Sequence, residues 1–196
     1  MNGDLEFLKE LTDAKTIHVL LEERVAKELE GIDQSRRAYE QVLDLRLGVV
    51  GGSRTAEETL ARIPSDVEAL YVSILPGMPD EERTKLYEGI AERKIPTVTM
   101  NGSGELEIGA LATQAPDNVE TVARRTAINA HQLLQGIGAD LLPVYLPFED
   151  RRIVNAETAL KIDWSPSYEL ALSVEFINEE ALEKGEGIDV QPVSYT

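Results

Sequence analysis

Thr16-Ile-His-Val-Leu-Leu21 is a short apolar run, and Val25, Leu29, Ile32, Tyr39 and Leu43 follow it at close to helical spacing. Leu45-Arg-Leu-Gly-Val-Val50 then returns to strand-like composition before the breaker Gly51-Gly52-Ser53. A strand, a helix over 24–43 and a second strand in succession imply a crossover connection. Crossovers place the strands parallel, with both faces of the sheet covered by helices.

The alternation extends in both directions from this unit. Upstream, Leu5, Leu8 and Leu11 mark one face of a short acidic helix. Downstream, Thr55 reads as the N-cap of a helix to Ile63, with Glu58 as its capping-box partner. Ala69-Leu-Tyr-Val-Ser-Ile74 reads as a third strand broken by Pro76-Gly77-Met78-Pro79, after which Asp80 caps a helix to about Arg93. Pro96 to Met100 is a fourth strand, Ile108 to Thr113 a small-residue strand, and Asn118 to Leu134 a long helix stopped by Gly136 and Gly138. Leu142 to Leu146 reads as a last extended stretch, and Leu170 to Ile177 as a strand with one exposed face. The fold class is therefore α/β: a three-layer αβα sandwich with a doubly wound, mostly parallel sheet. The rhythm changes at Trp164, which sets expected boundaries at 1–163 for the α/β lobe and 164–196 for a C-terminal extension toward a following domain.

Composition narrows the function classes. A net charge of −17 repels nucleic-acid phosphates and anionic lipid heads, and no Lys/Arg stripe offsets it. The acidity serves solubility first; it is compatible with a cationic ligand without requiring one. With no cysteine, disulfides, thiolate metal sites and Cys nucleophiles are excluded. No apolar run approaches the roughly 20 residues of a membrane span. Met1-Asn2-Gly3-Asp4 shows neither the basic nor the apolar region of a signal peptide, so an exported protein would be represented here by a mature form or an excised piece.

In open α/β sheets, ligands bind beyond the carboxyl ends of the strands. Those ends supply the candidate ligand-binding residues Glu22, Gly51, Ser53, Ser73, Leu75, Asn101 and Ser103. Gly51-Gly52-Ser53 sits where a phosphate loop would, but GxGxxG and GxxxxGK[ST] are both missing, and Ser73-Ile74-Leu75 lacks the acid that a dinucleotide or a receiver domain needs. No cofactor is expected. His18 and His131 lack partner His or Cys residues, so no metal site is expected either. Glu22 and Glu23 are adjacent, and on a strand at most one of them faces a cleft. No serine lies in a GxSxG elbow, and nothing assembles a nucleophile with a base, so no enzyme is read.

The order of segments resembles the second lobe of ABC-type periplasmic substrate-binding proteins of the tryptophan/tyrosine-binding family. Leu8 to Leu21 looks like the entry into that lobe, Val67-Glu-Ala-Leu-Tyr-Val72 its "DAIYV" strand, and Lys94-Ile-Pro-Thr-Val98 its "KIPVF". Gly109-Ala-Leu-Ala-Thr113 resembles "GALAS/T". Asp140 to Val144, Arg152 to Asn155 and Thr158-Ala159 resemble "ADIPV … LVINLKTAK". The family's "PTDN" and "YNP" are replaced by Ser73 to Gly77 and by Leu21-Glu22-Glu23, whereas Asn101 keeps the place of a ligand-facing polar residue. The resemblance implies a lobe that closes over a small ligand, an amino acid or an organic cation, in an extracytoplasmic (periplasmic) transport or efflux system. Phe176 to Glu180 and Val190 to Thr196 resemble the lead-in to the first helix of TolC-like outer-membrane efflux proteins, which implies attachment to the outer membrane through a longer parent chain. The alternative is an assembly or docking domain that has lost its ligand. Ile74, Leu75 and Met78 are expected to form an apolar rim that favours a homodimer.

Overall fold

The computed structural model describes residues 2–29, 33–114, 119–143, 151–178 and 180. The chain divides into two units, residues 1–115 with 151–196, and residues 116–150.

In the first unit, helix α1 (Asn2–Thr12) leads into strand β1 (Thr16–Glu22), followed by helices α2 (Glu23–Leu29) and α3 (Asp33–Leu43) and strand β2 (Arg46–Gly52). Two helices stand where the spacing predicts one; the residues joining them, 30–32, lie outside the described set. Helix α4 (Ala56–Arg62), strand β3 (Ala69–Val72), helix α5 (Asp80–Glu92), strand β4 (Thr97–Thr99), helix α6 (Ser103–Glu107) and strand β5 (Ala112–Thr113) follow. The small-residue strand expected over 108–113 shrinks to two residues, because Leu106 is buried on α6 and Ile108 to Leu111 turn back toward the sheet. Asp80 does not cap α5. Pro79 is its N-cap, and Asp80 instead pairs with Arg83 in the first turn.

The sheet order is β2-β1-β3-β4-β5, all parallel, then strand β6 (Ile153–Asn155) antiparallel to β5, with one further strand parallel to β6. That last strand is β7 (Glu175–Ile177). Between β6 and β7 lie two helices, at Ala156–Lys161 and Tyr168–Ser173. The second replaces half of the strand expected over 170–177: Ser167 Oγ accepts the Leu170 N–H at 3.2 Å, and Leu170 turns into the core. Residues 164–178, placed in the extension by sequence, thus add a strand to the lobe's sheet. Most of the TolC-like tail, 179 and 181–196, lies outside the described residues.

Period-two alternation divides the core into two layers. Ile17, Val19 and Leu21 of β1, with Tyr71 of β3 and Val98 of β4, pack on Leu5, Leu8 and Leu11 of α1, Ala26 of α2 and Leu43 of α3. Leu20 of β1 with Leu70 and Val72 of β3 packs on Ala56 of α4 and on Leu86, Tyr87 and Ile90 of α5. Each fully buried Leu or Ile contributes about 1.5–3 kcal/mol. Few polar groups enter the first layer, and they are tied down: Tyr71 Oη donates to Asp4 at 3.1 Å, and Trp164 Nε1 donates to the Leu11 carbonyl at 2.8 Å. Burial, with Asp4 beside it, pushes the Tyr71 hydroxyl pKa far up.

The second unit contains helix α7 (Val119–Leu134) and a 3-10 turn (Ala139–Leu141). Gly136, at φ 86°, ends α7 as its sequence position predicts, and the Ile137 N–H returns to the Gln132 carbonyl at 3.1 Å. In chain order the helix between β6 and the next segment is α8 (Ala156–Lys161) and the one before β7 is α9 (Tyr168–Ser173). Residues 144–146 of the last predicted extended stretch lie outside the described set. No helix among the described residues is long and apolar enough to cross a membrane.

One close approach fixes the β1–β2 pair. His18 lies opposite Gly48, and a Cβ at position 48 would stand 2.2 Å from the His18 ring. Burial lowers the His18 pKa, opposed by the charge of Asp66, so the fold prefers the neutral ring. That preference stabilises fully above about pH 6.5 and is lost as the pH falls below it. Gly48→Ala should cost about 1–3 kcal/mol in urea denaturation, and His18→Ala in that background should restore part of it. Stability should also fall from about pH 7 to pH 5.5, and fall less in His18→Gln.

Candidate functional site

The parallel register brings four strand ends to one edge. Glu22 lies opposite Gly52, Leu20 opposite Val72, and Val72 opposite Thr99, so the segments after β1, β2, β3 and β4 leave on the same rim. A groove of ≈ 510 Å³ opens there, between the ends of β1 and β2, the start of α4 and the loop after β3. Glu22, Glu23, Gly52, Ser53, Arg54, Thr55 and Glu58 form its polar side; Leu75, Gly77 and Met78 form the other.

The loop after β2 is held from below. Thr59, fully buried on α4, accepts the Ser53 N–H at 2.9 Å and donates to the Thr55 carbonyl at 2.8 Å. Thr55 caps α4 by accepting the Glu58 N–H at 3.4 Å, as its sequence position predicts, and the Glu58 carboxylate accepts a hydrogen bond from Ser53 Oγ. Glu82 of α5 accepts the Ala56 N–H at 2.8 Å, which ties the loop to the neighbouring helix. Lys85 and that amide together hold the Glu82 carboxyl below its ordinary pKa.

Charges at the groove fall into two kinds. Glu23 is compensated: Lys27 at 2.8 Å and Arg62 at 3.4 Å keep its pKa low, the Lys27 hydrogen bond contributing most. The side chains of Glu22 and Arg54 make no hydrogen bond or ion pair among the described residues. An open carboxylate and an open guanidinium therefore border the same groove, beside the apolar wall of Leu75 and Met78.

Of the residues expected from sequence, Glu22, Ser53 and Leu75 line this groove. Gly51 does not. It faces Glu23 and Ala26 across the sheet, and its neighbour Gly52 takes the groove side, because adjacent strand residues alternate. Ser73, Asn101 and Ser103 lie farther along the rim. Ser73 Oγ donates to Met100 Sδ at 3.1 Å, and the Asn101 N–H donates to Thr99 Oγ1 at 3.2 Å. Arg54, Glu58 and Met78 were missed by sequence reasoning, since no spacing rule marks them. Glu23 joins Glu22 at the groove, against expectation, because β1 ends at Glu22 and Glu23 already begins a helix. Leu75 and Met78 are each 5% exposed, so the expected apolar rim is reduced to Ile74 at 53%.

A buried ion pair supports the loop after β4. Glu105 of α6, nearly inaccessible, bonds Arg83 of α5 at 3.0 Å. The Tyr87 hydroxyl is buried beside Glu105 and Thr99, and that burial raises its pKa well above the ordinary value. A second pocket of ≈ 490 Å³ lies between α5, residues 107–109 and α8. Of its buried polar groups, the Tyr87 hydroxyl makes no hydrogen bond, whereas Asn155 and Thr158 are engaged. Asn155 caps α8 through the Glu157 and Thr158 amides and donates to the Leu106 carbonyl at 2.6 Å, and Thr158 donates to the Gly109 carbonyl at 3.3 Å. His18, mid-strand on β1, is away from the rim, and His131 belongs to the other unit. No group of three His, Asp or Glu among the described residues forms a metal site.

No family model matches the chain, and no curated protein matches it. Solved structures do. A conserved domain protein from Vibrio cholerae O1 biovar El Tor aligns at 15% identity with TM-score 0.71, over 89% of this chain and 59% of that one. A substrate binding protein with adhesive properties from Clostridium difficile, in a ligand-free, open structure, aligns at 24% identity and TM-score 0.65, over 90% and 59%. The ABC domain from Streptococcus pneumonia in complex with L-Trp aligns at 19% identity and TM-score 0.69, over 90% and 60%. The fold is that of a substrate-binding-protein lobe, with a seven-stranded, mostly parallel sheet between helices. The chain spans about three fifths of the length of each of these structures.

Thr59→Val keeps the shape of the side chain but leaves the Ser53 N–H unpaired. It should cost about 1–3 kcal/mol in thermal denaturation and speed amide exchange at Ser53. Unchanged exchange at Ser53 would show that another group holds the loop.

Proposed function

We propose that this chain is a non-enzymatic lobe that binds a small charged ligand at the groove between β1, β2 and the loop after β3. The observation that carries the proposal is the pair Glu22 and Arg54, open charges of opposite sign on one groove at the carboxyl edge of the sheet. A carboxylate without a partner attracts an ammonium group, and a guanidinium donates two parallel hydrogen bonds to a carboxylate. The two together suit an amino acid, and Glu22 alone suits an organic cation. Leu75 and Met78 supply an apolar wall for the ligand's body. The L-Trp held by one similar structure supports the amino-acid reading.

The proposed setting is an extracytoplasmic transport system, from the resemblance to periplasmic binding proteins. The TolC-like tail extends that proposal to an outer-membrane efflux protein; the parent reading frame tests it by continuing, or not, into a channel sequence. A second reading is an assembly domain without a ligand.

A thermal-shift panel of amino acids and small organic cations separates the two readings. A ligand at a hundredfold excess over its Kd stabilises the chain by about 2.7 kcal/mol. Glu22→Gln and Arg54→Gln should each weaken binding of the best amino acid at least about tenfold by calorimetry. A flat profile across the panel rejects ligand binding by this lobe, and binding that both variants retain moves the site elsewhere.

A further inference from the structure

Of the asparagine side chains among the described residues, all but one are held. Asn155 Oδ1 accepts the Glu157 N–H at 3.0 Å, and its amide donates to the Leu106 carbonyl at 2.6 Å. Asn129 donates to the Pro143 carbonyl at 3.0 Å, and Asn178 donates to Asn155 at 3.2 Å. The exception is Asn101, half-buried just past the end of β4. Its backbone N–H is tied to Thr99 Oγ1, but its side-chain amide makes no hydrogen bond among the described residues. The next residue is Gly102, at φ 79°, a conformation that favours glycine. The Gly102 N–H has no partner among the described residues either. A buried N–H left unpaired is uncommon and costly. A Cβ at position 102 would meet nothing within 4 Å, so there is room beside the peptide that joins the two residues. A free carboxamide and a free backbone nitrogen thus stand one residue apart.

We propose that Asn101 and Gly102 form a site of spontaneous covalent modification, at which the Asn101 amide is lost and an acid takes its place. Hydroxide removes the Gly102 N–H proton, and the electron pair left on that nitrogen forms a bond to Asn101 Cγ. The Cγ–Nδ2 bond then breaks, and the departing nitrogen takes a proton from water and leaves as ammonia. Water opens the cyclic imide that remains, at either of its carbonyls. Attack at Cγ gives aspartate. Attack at the backbone carbonyl gives isoaspartate, whose main chain runs through Cβ and Cγ. Nothing is oxidised or reduced, and water is the only co-reactant. Either product adds a negative charge to a chain that already carries −17. Isoaspartate also lengthens the backbone where β4 hands over to α6, in the turn whose Gly102 carbonyl accepts the N–H of the buried Glu105 at 3.3 Å. The rim beyond β4 therefore changes with the age of the protein. The chain's other Asn-Gly pair, residues 2–3, opens helix α1.

Ageing the whole folded chain in neutral and in mildly alkaline buffer tests this, read by anion exchange and by fragmentation of the peptide that carries residue 101. A more acidic species about 1 Da heavier should accumulate, with aspartate and isoaspartate at residue 101. Its rate should follow hydroxide, rising about tenfold per pH unit. Asn101→Asp marks where the modified chain elutes. Asn101→Gln, which needs a larger ring to cyclise, should form the acidic species at least about tenfold more slowly. The Asn101 side chain makes no hydrogen bond among the described residues, so circular dichroism should show both variants folded. Asn129, Asn155 and Asn178 should stay intact in the same sample. A folded chain that keeps asparagine at 101, while the chain unfolded in guanidinium is modified there, would overturn the proposal by showing that the fold protects the pair. Modification at residue 2 with residue 101 intact would overturn it too.

Discussion

The structure depends on the parallel pairing of β1 with β2 on one side and β3 on the other. Seven residues of β1 pair with β2, from Thr16 with Arg46 to Glu22 with Gly52, and the same strand pairs with β3 from Ile17 to Leu20. This register gives β1 two buried faces. It also aligns the strand ends, so that the loop after β2 and the loop after β3 flank Glu22. Slipping β1 by one residue would reverse every side chain, placing Leu20 with α1 and exchanging the groove residue Glu22 for Leu21. The tight fit of His18 over Gly48 works against such a slip.

The rest of the lobe stabilises that arrangement from outside. Trp164 and Arg152 fasten the returning chain to α1, the first through the Leu11 carbonyl and the second through Glu10 at 2.6 Å, with its guanidinium 5.1 Å above the Phe7 ring. The exposed ion pairs contribute little each, since water screens them. Beneath the loop after β4, Glu105 is a different case: removing Arg83 leaves a nearly inaccessible carboxylate without its counter-charge. The groove is supported by buried hydrogen bonds from Thr59 and Glu82 and keeps its own open charges for the solvent side.

The strand–helix alternation was legible because apolar period and breakers coincide at each element from β1 to β4. So were the capping of α4 by Thr55 and the end of α7 at Gly136, where single residue types have single local uses. Other features were not legible. The run Leu170 to Ile177 alternates like a strand, but Ser167 starts a helix, and only the buried seat for Leu170 decides the matter. Gly51 and Gly52 are indistinguishable in sequence; the pleat sends one to α2 and the other to the groove. Arg54 and Met78 carry no pattern, since their role comes from two loops meeting in space. Leu75 and Met78 looked like surface because they follow a strand end, yet the loop folds them under itself.

The proposed site rests on what the loops leave unsatisfied, one carboxylate and one guanidinium facing the same space. The most direct test is a nitrogen–proton correlation spectrum of the labelled chain, titrated with the amino acid that stabilises it most. Shifts confined to the amides of 22–23, 52–58 and 75–78 are the predicted result. Shifts centred on Thr84, Glu88 and Gly109, around the pocket beside α8, would contradict it.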